Sequence, residues 1–155
     1  MIRDCKLESH KSAFCHVVVH ENGVNLVSYE TSVCQMFIDN DSGRAFLYCK
    51  GNYSPTTIKH LNWFTTEFTG HNLYYAIKEQ LILAKRYNEL IYNDETTGML
   101  VESAVVELTN PEIANLESRI KWYKENGSYF HKYAKEPNYD FNMYGYRRMN
   151  PIILP

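Results

Sequence analysis

The chain has 155 residues, 45% of them apolar and 22% charged, with a formal charge of −2. That length supports one domain with a real core, and the near-neutral balance removes the electrostatic case for non-specific nucleic-acid binding by the whole chain. No segment approaches bilayer-spanning length, and Met1-Ile2-Arg3-Asp4-Cys5 lacks a signal-type apolar run, so a cytoplasmic protein with reduced thiols and no membrane partner is expected.

Residues 1–13 are mixed and polar, with no clear period. Phe14 to His20 alternates as a strand does, with Cys15, Val17 and Val19 on one face and His16, Val18 and His20 on the other. Asn22-Gly23 is the strongest short hairpin signal, and Val24 to Tyr29 is the return strand. A turn centred on that dipeptide sets Val19 opposite Leu26 and Val18 opposite Val27. Val33 to Ile38 alternates again, Asp39-Asn40-Asp41-Ser42-Gly43 gathers turn formers, and Ala45 to Cys49 returns without a polar residue. Gln35 is the only polar side chain in Val33–Ile38, so both faces of this hairpin are apolar and both need a cover. Asp39 and Asp41 lack the distal ligands of a calcium loop.

The four cysteines, Cys5, Cys15, Cys34 and Cys49, form no C-x-x-C pair. Cys34 and Cys49 sit on the two arms of the hairpin and read as buried thiols of a reducing compartment. His10, His16 and His20 with Cys5 and Cys15 fit no zinc spacing, because in a strand His16 and His20 stand roughly 13 Å apart. No metal and no cofactor is expected.

Ser54-Pro55 starts a helix, with Ser54 as cap and Pro55 in the first turn. Ile58, Leu61, Phe64 and Phe68 share its apolar face, and His60 and Asn62 fall away from the centre of that stripe. Thr65 to Asn72 interrupts the period around Gly70. Leu73 to Tyr92 is the longest helix, with one stripe through Leu73, Ile77, Leu81 and Ile91 and a second through Leu83, Tyr87 and Leu90. Its two-sided grease suits core packing, or the seam of a homodimer. Met99 to Leu108 fits either period, its β-branched residues favouring a strand. Asn110 caps and Pro111 opens a last helix through Ile113, Leu116, Ile120 and Tyr123, with Glu112 at its positive end and Lys121 and Lys124 at its negative end, closed by Asn126-Gly127. The expected fold is α+β in a single domain over 1–155: a four-stranded antiparallel meander in 14–50, a mainly helical part in 55–126 packing it with three helices, and an aromatic and basic irregular segment in 128–155.

Tyr29-Glu30-Thr31, the hairpin, and Tyr53-Ser54-Pro55-Thr56-Thr57-Ile58-Lys59-His60-Leu61 resemble a recurrent small domain of uncharacterised phage and mobile-element proteins. In that family a Ser-Tyr-(Glu/Asn)-Thr strand leads to a Tyr-Ser-x-Thr-Thr-x-x-His-(Leu/Ile) helix start. The resemblance runs from Val27 to Phe68 and implies a fold fragment and a phage-like origin, not a reaction. Its motif residues here are Tyr29, Tyr53, Ser54, Thr56, Thr57 and His60. A structural reading has Ser54 capping, the threonines bonding backbone and His60 packing at the strand–helix junction, and it accounts for the spacing without chemistry. A catalytic reading needs His60, Glu30 and Glu67 to converge on one substrate atom. No Gly-rich phosphate loop, nucleophile elbow or metal-ligand motif accompanies them, so no enzyme is expected.

The last stretch interleaves Tyr129, Tyr133, Tyr139, Tyr144 and Tyr146 with basic residues that include Arg147 and Arg148. These seven are the candidate partner-binding residues. The segment suits a wrap over the domain, a protein interface, or a platform for bases and phosphates helped by Lys50, Lys59 and His60. Together with the resemblance, this leads to an expected function. The chain reads as a non-enzymatic phage-type accessory protein that binds and occludes a host protein, inhibiting a host defence component such as a CRISPR nuclease. A small nucleic-acid-binding module is the alternative.

Overall fold

The structure, a computed structural model, describes residues 3–29, 31–50, 54–91 and 103–130, with side chains described except at Lys50, residues 84–91 and Ser103. Strands β1 (Arg3–Lys6), β2 (Cys15–Val19), β3 (Gly23–Ser28), β4 (Thr31–Ile38) and β5 (Ala45–Lys50) precede helices α1 (Pro55–Thr69) and α2 (Tyr74–Ile91). Strand β6 (Ser103–Glu107) and helix α3 (Asn110–Asn126) follow. Among the described residues the strands form one antiparallel sheet in the order β1-β2-β3-β4-β5-β6. The α+β class holds, and the sheet is two strands wider than the expected four. β1 has no apolar run to announce it; it is made by pairing Arg3 to Val19 and Cys5 to Val17. β6 pairs Phe46 with Glu107 and Tyr48 with Val105, so the part of Met99–Leu108 that is described is a strand inside what read as the helical half.

Two turns depart from expectation. In the first hairpin Val19 faces Val24 and Val17 faces Leu26, so Glu21-Asn22 makes the turn and Gly23 begins β3. The His20 N–H donates to the Gly23 carbonyl at 2.8 Å, while the Asn22 carbonyl accepts from the Ile38 N–H at 2.9 Å. A third strand thus claims the turn, and the favoured Asn-Gly geometry yields. The shift is by two residues, which leaves every side chain on its expected face. The second departure is at Tyr29, expected to end a strand, which stands instead in a turn. Ser28 pairs with Thr31, and Tyr29 takes φ 56, the left-handed value that two-residue hairpin turns require.

Alternation gives the sheet two apolar faces. On one, Cys5, Val17, Leu26, Met36 and Leu47 pack with Leu61, Phe64 and Phe68 of α1, Leu73 and Ile77 of α2, and Leu116, Ile120 and Tyr123 of α3. On the other, Phe37, Phe46 and Val105 cluster with Tyr48. The four cysteines are buried and free, and Cys34 lies directly opposite Cys49. Burial pushes the Cys5 and Cys15 thiols up to about 11 and Cys34 well up. They are inert core groups.

The helix ends explain the rest. The Ser54 hydroxyl accepts the Thr57 N–H at 3.2 Å, the cap that the sequence predicts. α1 then continues through the expected break at Thr65, with the Thr65 and Thr69 hydroxyls donating to carbonyls one turn back, at 2.9 and 2.6 Å. Only Gly70, at φ 82, stops it. For α3 the cap is Thr109 and not Asn110: the buried Glu112 carboxylate accepts the Thr109 N–H at 2.8 Å and its hydroxyl at 2.9 Å. Gly127 closes α3 for lack of room, since a Cβ there would lie 2.8 Å from the Cys5 Sγ. Arg3 completes that end, donating to the Lys124 carbonyl at 2.7 Å and to the Gly127 carbonyl.

Candidate functional site

The motif residues come together where the start of α1 meets the end of β3. Thr57 and His60 are three apart and so share one side of the helix, and that side faces Ser28. The Ser28 Oγ stands 2.8 Å from His60 Nδ1 and 3.2 Å from Thr57 Oγ1, and the Ser54 hydroxyl donates to Thr57 Oγ1 at 3.2 Å. His60, off the centre of the apolar stripe, packs at the strand–helix junction and is 1% exposed, whereas Ile58 is half-buried. Its imidazole is accepted into the core because Ser28 supplies a polar partner. Burial holds His60 below the usual imidazole range, with the Lys59 charge adding to the effect. The joint is therefore a neutral network.

Its chemistry is limited by closure. A serine lies within reach of an imidazole, but Ser28 is 3% and His60 1% exposed, so no solute meets them in this conformation. The acid–base group weighed for His60 does not assemble around Glu67. That residue lies two turns along α1, roughly 10 Å away by helical rise. Its carboxylate is taken up by the Ser9 N–H at 2.6 Å, the Tyr123 hydroxyl, and the Arg119 Nη2 at 3.4 Å. Burial and that carboxylate push the Tyr123 hydroxyl well up, which keeps it a donor to Glu67 while it accepts the Glu8 N–H at 2.7 Å. Glu30 lies outside the described residues.

Above the joint sits a strip of aromatic rings. Phe14 and Tyr29 are 59% and 52% exposed, with ring centroids 5.7 Å apart. Tyr29 lies 6.1 Å from His60, and His60 lies 5.5 Å from the half-buried Trp63. His10 stacks on Trp63 at 4.2 Å with planes 3° apart, and the Lys59 Nζ stands 5.1 Å from the same ring centre. The Tyr29 N–H donates to the Phe14 carbonyl at 2.7 Å, fixing the exposed pair to each other. A left-handed backbone at a bulky residue costs about 1–2 kcal/mol. Here that conformation presents a large ring to solvent.

Of the motif residues, Ser54 caps, Thr57 and His60 join Ser28, Thr56 is half-buried, Tyr29 is exposed at the turn, and Tyr53 lies outside the described residues. Of the partner-binding candidates, Tyr129 is exposed, bridges to Cys5 and carries the Arg3 guanidinium 4.7 Å above its ring. Tyr133, Tyr139, Tyr144, Tyr146, Arg147 and Arg148 lie outside the described residues. His16 pairs with Asp4 at 3.1 Å and stacks on Phe130 at 4.0 Å. No group of three or more potential ligands suited to a metal occurs among the described residues, and no helix among them is long and apolar enough to cross a membrane. Sequence reasoning missed Ser28, Phe14, Trp63 and His10 as parts of one site. Only Ser28 carried a signal, as the first residue of the Ser-Tyr-Glu-Thr run.

Residues 4–80 match a family described as a family of unknown function (DUF8033). The matched stretch holds β1 to β5, α1 and the start of α2, and with them the hydroxyl–imidazole joint and the aromatic strip. An uncharacterised family is what the motif implied. No curated protein and no solved structure matches the chain.

Proposed function

We propose that this protein is a non-enzymatic binding protein whose exposed aromatic strip docks on a partner protein and occludes its surface. The observation that carries the reading is Tyr29, a large ring held outward in a left-handed backbone beside Phe14 and above a fully hydrogen-bonded floor. Rigid, half-exposed aromatic rings are the side chains that anchor protein interfaces, since they offer large contact area with little entropy to lose. The resemblance to phage and mobile-element domains supports the finer reading: an accessory protein acting on a host protein, with a defence component such as a CRISPR nuclease as the target.

A nucleic-acid module is the second reading, favoured by Lys59 beside Trp63 on the rim of the strip. His10 already stacks on that ring, which leaves Phe14 and Tyr29 to meet the bases. The test is affinity purification from host cells with the wild type and a Phe14→Ser/Tyr29→Ser double variant, followed by titration of the recovered protein. A one-to-one partner bound at least tenfold more weakly by the variant is expected. Equal binding by the variant would overturn the reading. Binding of short DNA or RNA that falls steeply with salt would replace it with the second.

A further inference from the structure

Glu117, Ile120, Lys121 and Lys124 fall on one side of α3, at three- and four-residue spacing. They face the ends of the sheet, where the β2–β3 and β4–β5 turns lie, and a cleft of about 330 Å³ stands between. Its walls are tied to each other. The Ile38 N–H donates to the Asn22 carbonyl at 2.9 Å, which joins the two turns. The Lys124 ammonium donates to the Glu21 carbonyl at 2.7 Å and pairs with the Glu21 carboxylate at 3.2 Å, which clasps α3 to the first turn. Ile38, half-buried, and Ile120, buried, give the cleft an apolar lining. The remaining lining is polar and unused. Among the described residues the side chains of Asn22, Asn40, Glu117 and Lys121 make no hydrogen bond or ion pair, although Glu117 and Lys121 stand at the spacing that favours one.

We infer that this cleft binds a free aliphatic α-amino acid, its carboxylate on Lys121, its ammonium on Glu117 and its side chain against Ile38 and Ile120. The volume lies at the lower end of the range for small-molecule sites, about 300–1,000 Å³, which suits a ligand of that size. The lining selects among such ligands. An unpaired cation one helical turn from an unpaired anion matches a zwitterion, whereas a phosphate or dicarboxylate would meet Glu117 as a like charge. Among the described residues no aromatic ring lines the cleft, so a nucleobase has nothing to stack on. The Asn22 and Asn40 amides each bring a donor and an acceptor, and so can bond either charged group of the ligand. None of these residues belongs to the aromatic strip, and the inference stands independently of the partner-binding reading.

The test is an amide NMR titration of the full chain with L-leucine, N-acetyl-L-leucine and L-leucinamide. L-Leucine should shift the Asn22, Asn40 and Lys121 resonances saturably, with a dissociation constant in the millimolar range. Each blocked compound should bind roughly three- to fivefold more weakly, the worth of one exposed ion pair. Glu117 and Lys121 are exposed on α3, so Glu117→Gln and Lys121→Gln should leave the fold intact. Lys121→Gln should weaken leucine by a similar factor and spare leucinamide, which has no carboxylate. Glu117→Gln should weaken leucine and spare N-acetyl-leucine, which has no ammonium. No saturable shift with leucine, equal binding of the three compounds, or leucine binding unchanged in either variant would each overturn the inference.

Discussion

At its N-terminal end α1 is tied to the sheet by neutral groups, Ser28, Ser54, Thr57 and His60, each within a short reach of the next. At its C-terminal end a single carboxylate, Glu67, gathers the Ser9 N–H, the Tyr123 hydroxyl and the Arg119 guanidinium, groups contributed by the β1–β2 connection and α3. The difference is one of energetics. Neutral pairs exchange water hydrogen bonds for internal ones at small net gain. A buried carboxylate with several donors is costly to break, because each donor is left without a partner. The charged end locks three elements together. The neutral end holds a turn that displays two exposed rings, so under the proposed function stability and binding should be separable by mutation.

The largest expected effect of a single substitution is at the charged end. Glu67→Ala removes the shared acceptor of Tyr123, Arg119 and the Ser9 amide, and should lower unfolding free energy by about 2–3 kcal/mol in urea titration. Acid is the next way to separate the contributions. Burial takes His20 down to about 4, and His60 is lowered in the same direction. Both imidazoles are therefore folded as neutral groups with pKa values below those of the unfolded chain. The stability they contribute is complete above pH ~6.5 and is lost as pH falls toward 4, with a His20 share of about 3 kcal/mol. Urea midpoints between pH 7.5 and 4.5 should show the decline, and His20→Asn should flatten it.

Smaller effects should appear at the neutral joint. Ser28→Ala and Thr57→Val should each cost about 1 kcal/mol. They should be non-additive with one another, since they share a hydrogen bond, yet additive with Glu67→Ala at the far end of α1. Additivity between Ser28→Ala and Thr57→Val would break the picture of one joint.

How far these features could be read from the residues follows from how local their causes are. The cap at Ser54, the β4–β5 hairpin with its facing Cys34 and Cys49, and the two apolar faces rest on neighbours in sequence, and they stand as read. β1 was hidden because its strand character comes from β2 and from Tyr129, more than a hundred residues away. Thr109 displaced Asn110 as cap because Glu112 bonds it, a choice that helical periodicity does not express. The junction position of His60 was legible but its partner was not, since a polar group enters the packed face only if a partner waits there, and Ser28 lies on another element. The Glu67 network and the strip through Phe14, Tyr29, Trp63 and His10 are assembled by the fold from four separate stretches. Composition could list their members but not their meeting.

The measurement that bears most directly on the account is a paired reading of stability and partner affinity for Tyr29→Gly. Glycine accepts the left-handed backbone without strain and loses more freedom on folding, so the two effects nearly offset and stability should change by no more than about 1 kcal/mol. Affinity for the partner should fall at least tenfold with the ring removed. A variant that binds as well as the wild type but unfolds several kcal/mol more easily would show that Tyr29 serves the fold, and would contradict the assignment of this turn as a docking surface.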